Sequence, residues 1–313
     1  MSIFALATIG LAALQAFASP TIKRDDNPSF VISGDAPFSI DTETLSDAIT
    51  CPNGNPTASK PPVLLIHGTS CTGEESWGKG YVPALMANGY TACYVTLPNR
   101  AMSDMQISAE YVAYGLHYVS WLSGGLKPSV ISHSQGGPVT QWALQFWPSA
   151  ASVTKSFIAL SPDFMGVTLL DSDLSSFCVD DLCQASLWQQ SAGSNFYSAL
   201  HKKNFNARVP TTTIWSEFDG IVTPIQSNAR LPGATVIQLQ DLCILRPTNH
   251  IFMTIDSAAY AIALDALNNN GNANVNRIKN RFSICLRIDA PHMDLDVAEE
   301  ITDLFKEFTE GFV

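Results

Sequence analysis

The sequence predicts an α/β fold, a mostly parallel central sheet with helices on both faces, and three observations carry that expectation. Short apolar or β-branched runs recur along the chain, mostly with helical patterns between them, and such alternation is how a parallel sheet buried on both faces reads. Hydrophobic residues make up 46% of the 313 positions, which allows one large core in a chain long for one domain but short for two. The third observation is Ser132-His133-Ser134-Gln135-Gly136, set between a strand-like and a helix-like run, as at the sharp turn where a parallel strand feeds its following helix.

From the N-terminus, residues 1–18 are apolar and end in Ala16-Phe17-Ala18, a small-x-small pattern that reads as a secretory signal peptide. A membrane anchor competes with that reading, but the run is barely long enough to span a bilayer and Pro20 follows it closely. Residues 19–24 are then a propeptide candidate closed by Lys23-Arg24, unless that pair is merely exposed charge. Residues 25–313 are expected to form a single domain with a small cap near 167–187. Removing residues 1–24 takes away two positive charges and no negative ones, so the formal net charge moves from -11 to -13 and argues against a nucleic-acid partner. Only 14% of residues are charged, below the roughly 25% of an average soluble protein, which suggests uncharged or apolar surface. Seven cysteines suit an oxidising compartment, with one left over. Asn27 and Asn55 are each followed by proline, so N-glycosylation is not expected.

Six runs are strand candidates: Val63-Leu64-Leu65-Ile66, Ala92-Cys93-Tyr94-Val95-Thr96, Val130-Ile131, Phe157-Ile158-Ala159-Leu160, Thr212-Thr213-Ile214-Trp215 and Ala234-Thr235-Val236-Ile237-Gln238-Leu239. Asn268-Asn269-Asn270-Gly271-Asn272 reads as a loop, and residues 295–308 as a last, core-covering helix.

Ser134 is the candidate nucleophile, because a serine at a strand-to-helix turn has its hydroxyl pushed out of the sheet, with small residues two before and two after it. Its hydroxyl needs an imidazole to take its proton, and the imidazole needs a carboxylate to fix its tautomer. With the order nucleophile, acid, base, Asp219 after the Thr212-to-Trp215 run and His250 after the next strand fall where the chemistry requires. Glu217 is the competing acid and His292 the competing base. Acyl transfer also needs donors for an oxyanion, and Gln135 and Thr69, in His67-Gly68-Thr69-Ser70 after the first strand candidate, are placed to supply them. Neither His-Glu-x-x-His nor paired Cys-x-x-Cys occurs, so no metal or other cofactor is expected.

With these residues in place, the chain resembles the Candida antarctica lipase B-like family of secreted fungal α/β-hydrolases. The matching stretches are Thr44-Leu45-Ser46-Asp47-Ala48-Ile49-Thr50-Cys51, Gly68-Thr69-Ser70-Cys71-Thr72-Gly73, Ser134-Gln135-Gly136-Gly137, Ser161-Pro162-Asp163, Trp188-Gln189-Gln190 and Asp219-Gly220-Ile221-Val222, in order over about residues 40 to 290. The resemblance implies the α/β-hydrolase fold, a triad of Ser134, Asp219 and His250, and an oxyanion hole at Thr69 and Gln135. It also implies that Asp163 and Gln190 line the acyl side of the pocket, Asp163 being equally readable as a buried structural acid. It pairs Cys51 with Cys93 and Cys243 with Cys285. Where the family lipase has a tryptophan bounding the alcohol pocket this chain has His133, which either sets alcohol selectivity or fills the space. The segment 169–187 is slightly longer than the family's and carries Cys178 and Cys183, expected to bridge locally, while Cys71 is expected to be a buried, inert spare. The family's last disulfide has no counterpart here.

The expectation is therefore a secreted, monomeric serine hydrolase acting on a lipid or ester substrate, without stable membrane insertion. Triacylglycerols are the first expectation, with a short-chain esterase or polyester hydrolase as alternative and a non-catalytic binding protein as the rival outside enzymes.

Overall fold

Seven strands build the sheet of the computed structural model: β1 (Ile49–Thr50), β2 (Pro62–Ile66), β3 (Thr91–Val95), β4 (Ser129–His133), β5 (Ser156–Leu160), β6 (Thr211–Trp215) and β7 (Thr235–Gln238). The structure describes residues 27–297 except 58, 169–183 and 203, together with 300, 302 and 303. The strands lie in the order β1-β3-β2-β4-β5-β6-β7. All pairs are parallel except β1 against β3. Each of the six strand candidates is a strand of this sheet.

The apolar runs are continuous because both faces of the sheet are covered. Val63 and Leu65 of β2, Ile131 of β4 and Ile158 and Leu160 of β5 point into one core, shared with the helices Tyr81–Ala87 and Ser257–Asn268. Leu64 and Ile66, Val130, Phe157 and Ala159 point into the other, covered by the helices Met105–Leu122 and Gly136–Phe146. The alternation follows from the period of two along a strand. Leu64 and Leu65 are fully buried, so cutting either to alanine is expected to cost about 2–5 kcal/mol.

Two of the covering helices, Met105–Leu122 and Ser257–Asn268, begin where a carboxylate satisfies free amides. Asp104 accepts from the Gln106 amide, and Asp256 from those of Ala258 and Ala259. Strand β1 has no period of its own to read, being two residues long. It exists because Ile49 pairs with Val95 and Thr50 with Tyr94, with the Cys51–Cys93 disulfide tying the next residue to β3. The second disulfide joins Cys243 to Cys285.

The signal peptide and propeptide candidates, the middle of the expected cap with Cys178 and Cys183, and residues 298, 299, 301 and 304–308 of the expected last helix lie outside the described residues. Among the described residues, no helix is long and apolar enough to cross a membrane.

Candidate active site

The carboxyl ends of β2, β4, β5 and β6 carry, in turn, the His67-Gly68-Thr69 loop, Ser134, the Ser161-Pro162-Asp163 turn and the turn bearing Asp219. This is the edge of a parallel sheet where ligands collect. Ser134 sits between β4 and the helix Gly136–Phe146 at φ +53°, a left-handed conformation that a side chain rarely adopts. The neighbouring backbone holds it there: its amide donates to the Leu160 carbonyl at 3.0 Å and its carbonyl accepts from the Gly137 amide at 2.8 Å. Glycine is required on both sides of the turn. A methyl on Gly68 would lie 2.9 Å from Ser134 Cβ, and one on Gly136 would lie 2.8 Å from the Ile66 and His67 carbonyl oxygens.

His250 Nδ1 donates to Asp219 Oδ2 at 2.7 Å, with both side chains buried. That bond assigns the proton to Nδ1 and leaves Nε2 with a free lone pair, the tautomer a general base needs. Asp219 Oδ1 accepts from the Ile221 and Val222 amides, each at 3.0 Å. Burial alone would raise this carboxyl, but the His250 imidazole and the two amides outweigh it and hold Asp219 at about 2. The competing acid Glu217 is exposed and accepts from Gln238 Nε2 instead. The competing base His292 is exposed on a turn at φ +72°.

His133 reaches His250 directly. The two rings stand 4.6 Å apart between centroids, and His133 Nε2 lies 2.9 Å from the His250 carbonyl oxygen. A carbonyl can only accept, so His133 Nε2 carries the proton. Burial, followed by the neighbouring His250, pushes the His133 imidazole down to about 3, so it is neutral at working pH. The residue expected either to set alcohol selectivity or to fill space thus also anchors the backbone of the candidate base.

Thr69 Oγ1 donates to Gln190 Oε1 at 3.1 Å, which brings together a candidate oxyanion residue and a candidate pocket residue 121 positions apart. Gln135 is fully buried at the start of the helix after Ser134, and its side-chain amide has no protein partner. Asp163 is fully buried: Oδ2 accepts from the Tyr197 hydroxyl at 2.9 Å while Oδ1 has no protein partner. Burial raises its carboxyl to about 6, against the opposing Tyr197 bond.

Sequence reasoning missed two clamps on the candidate oxyanion loop. His67 Nε2 accepts from the Leu97 amide at 2.9 Å, so Nδ1 carries the proton and donates to the Gly68 carbonyl at 2.8 Å. Arg100 Nε donates to the Ser70 carbonyl at 3.0 Å, and its Nη1 and Nη2 donate to the two Glu75 carboxylate oxygens at 3.0 and 2.7 Å. Glu75 also closes a capping box with Thr72, and Thr-x-x-Glu was a legible signal for that helix start. Nothing in the sequence pointed to Arg100. The spare cysteine, Cys71, is buried, and burial raises its thiol to about 11, far from a reactive thiolate.

No protein-family model matches the chain. Lipase B of Pseudozyma antarctica is 33% identical over 240 residues, covering 75% of this chain and 68% of that protein. The crystal structure of Aspergillus fumigatus lipase B superposes with a TM-score of 0.79 at 32% identity, covering 90% of this chain and 72% of that one. These two similarities, with the mostly parallel seven-stranded sheet, show that the chain belongs to the lipase B family of carboxylic ester hydrolases, built on the α/β-hydrolase fold.

Proposed function

We propose that this chain is a secreted serine hydrolase that cleaves carboxylic esters, triacylglycerols first among them, through an acyl-enzyme on Ser134. The observation that carries the reading is the buried 2.7 Å bond from His250 Nδ1 to Asp219, on a loop tied to the residue preceding an elbow serine. In the first half-reaction Ser134 Oγ attacks the ester carbonyl as His250 Nε2 takes its proton. The Thr69 and Gln135 amides bind the tetrahedral oxyanion, and His250 returns the proton to the leaving alcohol. In the second half-reaction His250 Nε2 takes a proton from the attacking water and returns it to Ser134 Oγ as the acyl–oxygen bond breaks, releasing the carboxylic acid. Asp219 holds the tautomer and stabilises the imidazolium that forms.

The segment 1–18 supports secretion, as do the Cys51–Cys93 and Cys243–Cys285 disulfides. A fluorophosphonate probe tests the mechanism: a single adduct on Ser134 of the folded protein is expected, and an unlabelled Ser134 would overturn it. Relative rates on emulsified long-chain triglyceride and a soluble butyrate ester separate the lipase reading from a short-chain esterase.

A further inference from the structure

Between Ala266 and Ile288 the chain has no acidic residue and four basic ones, Arg277, Lys279, Arg281 and Arg287, although the whole protein carries a formal net charge of -11. Arg277 is neutralised by Asp265 at 2.7 Å, but Lys279 and Arg287 are exposed and, among the described residues, Arg281 bonds only the neutral Val275 carbonyl and Asn276 side chain. The same stretch holds the short helix Arg281–Leu286, which has no fully buried residue. Ile284 and Cys285 lean on the core, while Phe282 and Leu286, four apart and so on one face, are 80% and 68% exposed. A surface helix ordinarily turns polar side chains outward there.

The Cys243–Cys285 disulfide, with Cα atoms 5.4 Å apart, brings a second apolar pair to this place. Ile244 and Leu245 follow Cys243 directly and are 79% and 89% exposed. Aliphatic and aromatic groups standing clear of the surface and interleaved with unneutralised cations match an interface with hydrocarbon beneath and anionic head groups above. Asp241 and Asp289 flank the patch, but charges farther off on the acidic protein matter little to such a contact, because the Debye length is about 10 Å at 0.1 M salt.

We infer that the disulfide-linked patch of Ile244, Leu245, Phe282 and Leu286, with Lys279, Arg281 and Arg287 among them, docks the protein on an anionic lipid surface. The patch lies on the chain that continues through Arg246, whose guanidinium donates to the carbonyls of Arg287 and Ile288, into His250. Docking there places the lipid against the segment that carries the candidate base. The binding does not rest on the catalytic reading, and its test needs no turnover.

The test is co-sedimentation of the full chain with phosphatidylcholine vesicles, with and without phosphatidylglycerol, with near-UV circular dichroism as the fold control. Partitioning is expected to be strong only with phosphatidylglycerol and to weaken with added salt. Because each cation near such a surface is worth about fivefold, the Lys279→Glu/Arg287→Glu variant is expected to lose at least about tenfold. Phe282→Ser/Leu286→Ser is expected to abolish binding. If that variant loses its fold signal, the charge-reversed one, altered only at exposed side chains, decides alone. Equal partitioning onto neutral vesicles, or unchanged partitioning after charge reversal, would overturn the inference. So would concentration-dependent self-association that Phe282→Ser/Leu286→Ser removes, which would give the patch to a second copy of the chain.

Discussion

The turn that carries Ser134 and the loop that carries His250 are held in different ways, and His133, next to Ser134, reaches the His250 carbonyl. The serine hangs on the backbone ladder of the sheet: its own amide and carbonyl are bonded to Leu160 and Gly137, and its neighbours belong to β4 and a long helix. The histidine lies on a loop between two short 3-10 turns, Leu239–Asp241 and Ile251–Thr254, and side chains hold that loop. Arg246 and Asp256 close it with a buried ion pair at 2.6 Å, His133 grips the His250 carbonyl, and Asp219 fixes the ring. A turn held by its backbone is therefore expected to lose its side-chain hydroxyl without loss of structure. The histidine loop has no such separation, since the groups that place the base also hold the fold.

The largest expected effect breaks the site on the backbone-held side. Ser134→Ala should lower kcat by about 10⁶-fold, with the thermal midpoint unchanged within error. Steady-state kinetics beside calorimetry checks it, and a fall in midpoint would show that the elbow hydroxyl also supports the fold.

On the histidine side, Asp256→Ala strands the buried Arg246 guanidinium and uncaps the helix Ser257–Asn268. We expect a loss of about 3 kcal/mol in urea unfolding together with reduced kcat. Part of the stability should return in Arg246→Met/Asp256→Ala, where no unpaired charge remains.

Two carboxylates then separate the regions by pH. Asp219 is held below its ordinary range, so its contribution to stability is present above about pH 4 and lost as pH falls towards 2. Asp163, raised to about 6, runs the other way: its contribution is complete below about pH 4 and is lost as pH rises through 6. Asp163→Asn keeps an acceptor for Tyr197 and should be more stable than the parent by about 2–3 kcal/mol at about pH 8, the gain vanishing near pH 4. Urea midpoints measured across that window decide it.

The smallest effect addresses the link between the two regions. His133→Phe keeps a ring but removes the donor to the His250 carbonyl, and should lower kcat about tenfold at unchanged KM, the worth of one hydrogen bond. A change confined to KM for bulky alcohols would instead place His133 in the alcohol pocket.

How far the site could be read in advance follows the same division. The elbow was legible because a strand, a sharp turn and a helix are local events, and small residues must flank a serine forced to positive φ. Asp219 and His250 were legible as the second and third members of an ordered set, yet Glu217 and His292 stayed open beside them, since chain order says nothing of which side chains meet. The Arg100–Glu75 clamp, the His67 tautomer and the bond from Thr69 to Gln190 left no pattern, because each joins side chains from separate elements.

The sequence by itself determined the six main strands and the turn that carries Ser134, because strand burial and turn sterics are written in neighbouring residues. Only the tertiary structure decided which acid meets which imidazole and what anchors the loop that carries His250. Those outcomes depend on side chains far apart in the chain being brought within about 3–5 Å, a distance at which hydrogen bonds and contacts act and which no run of residues encodes.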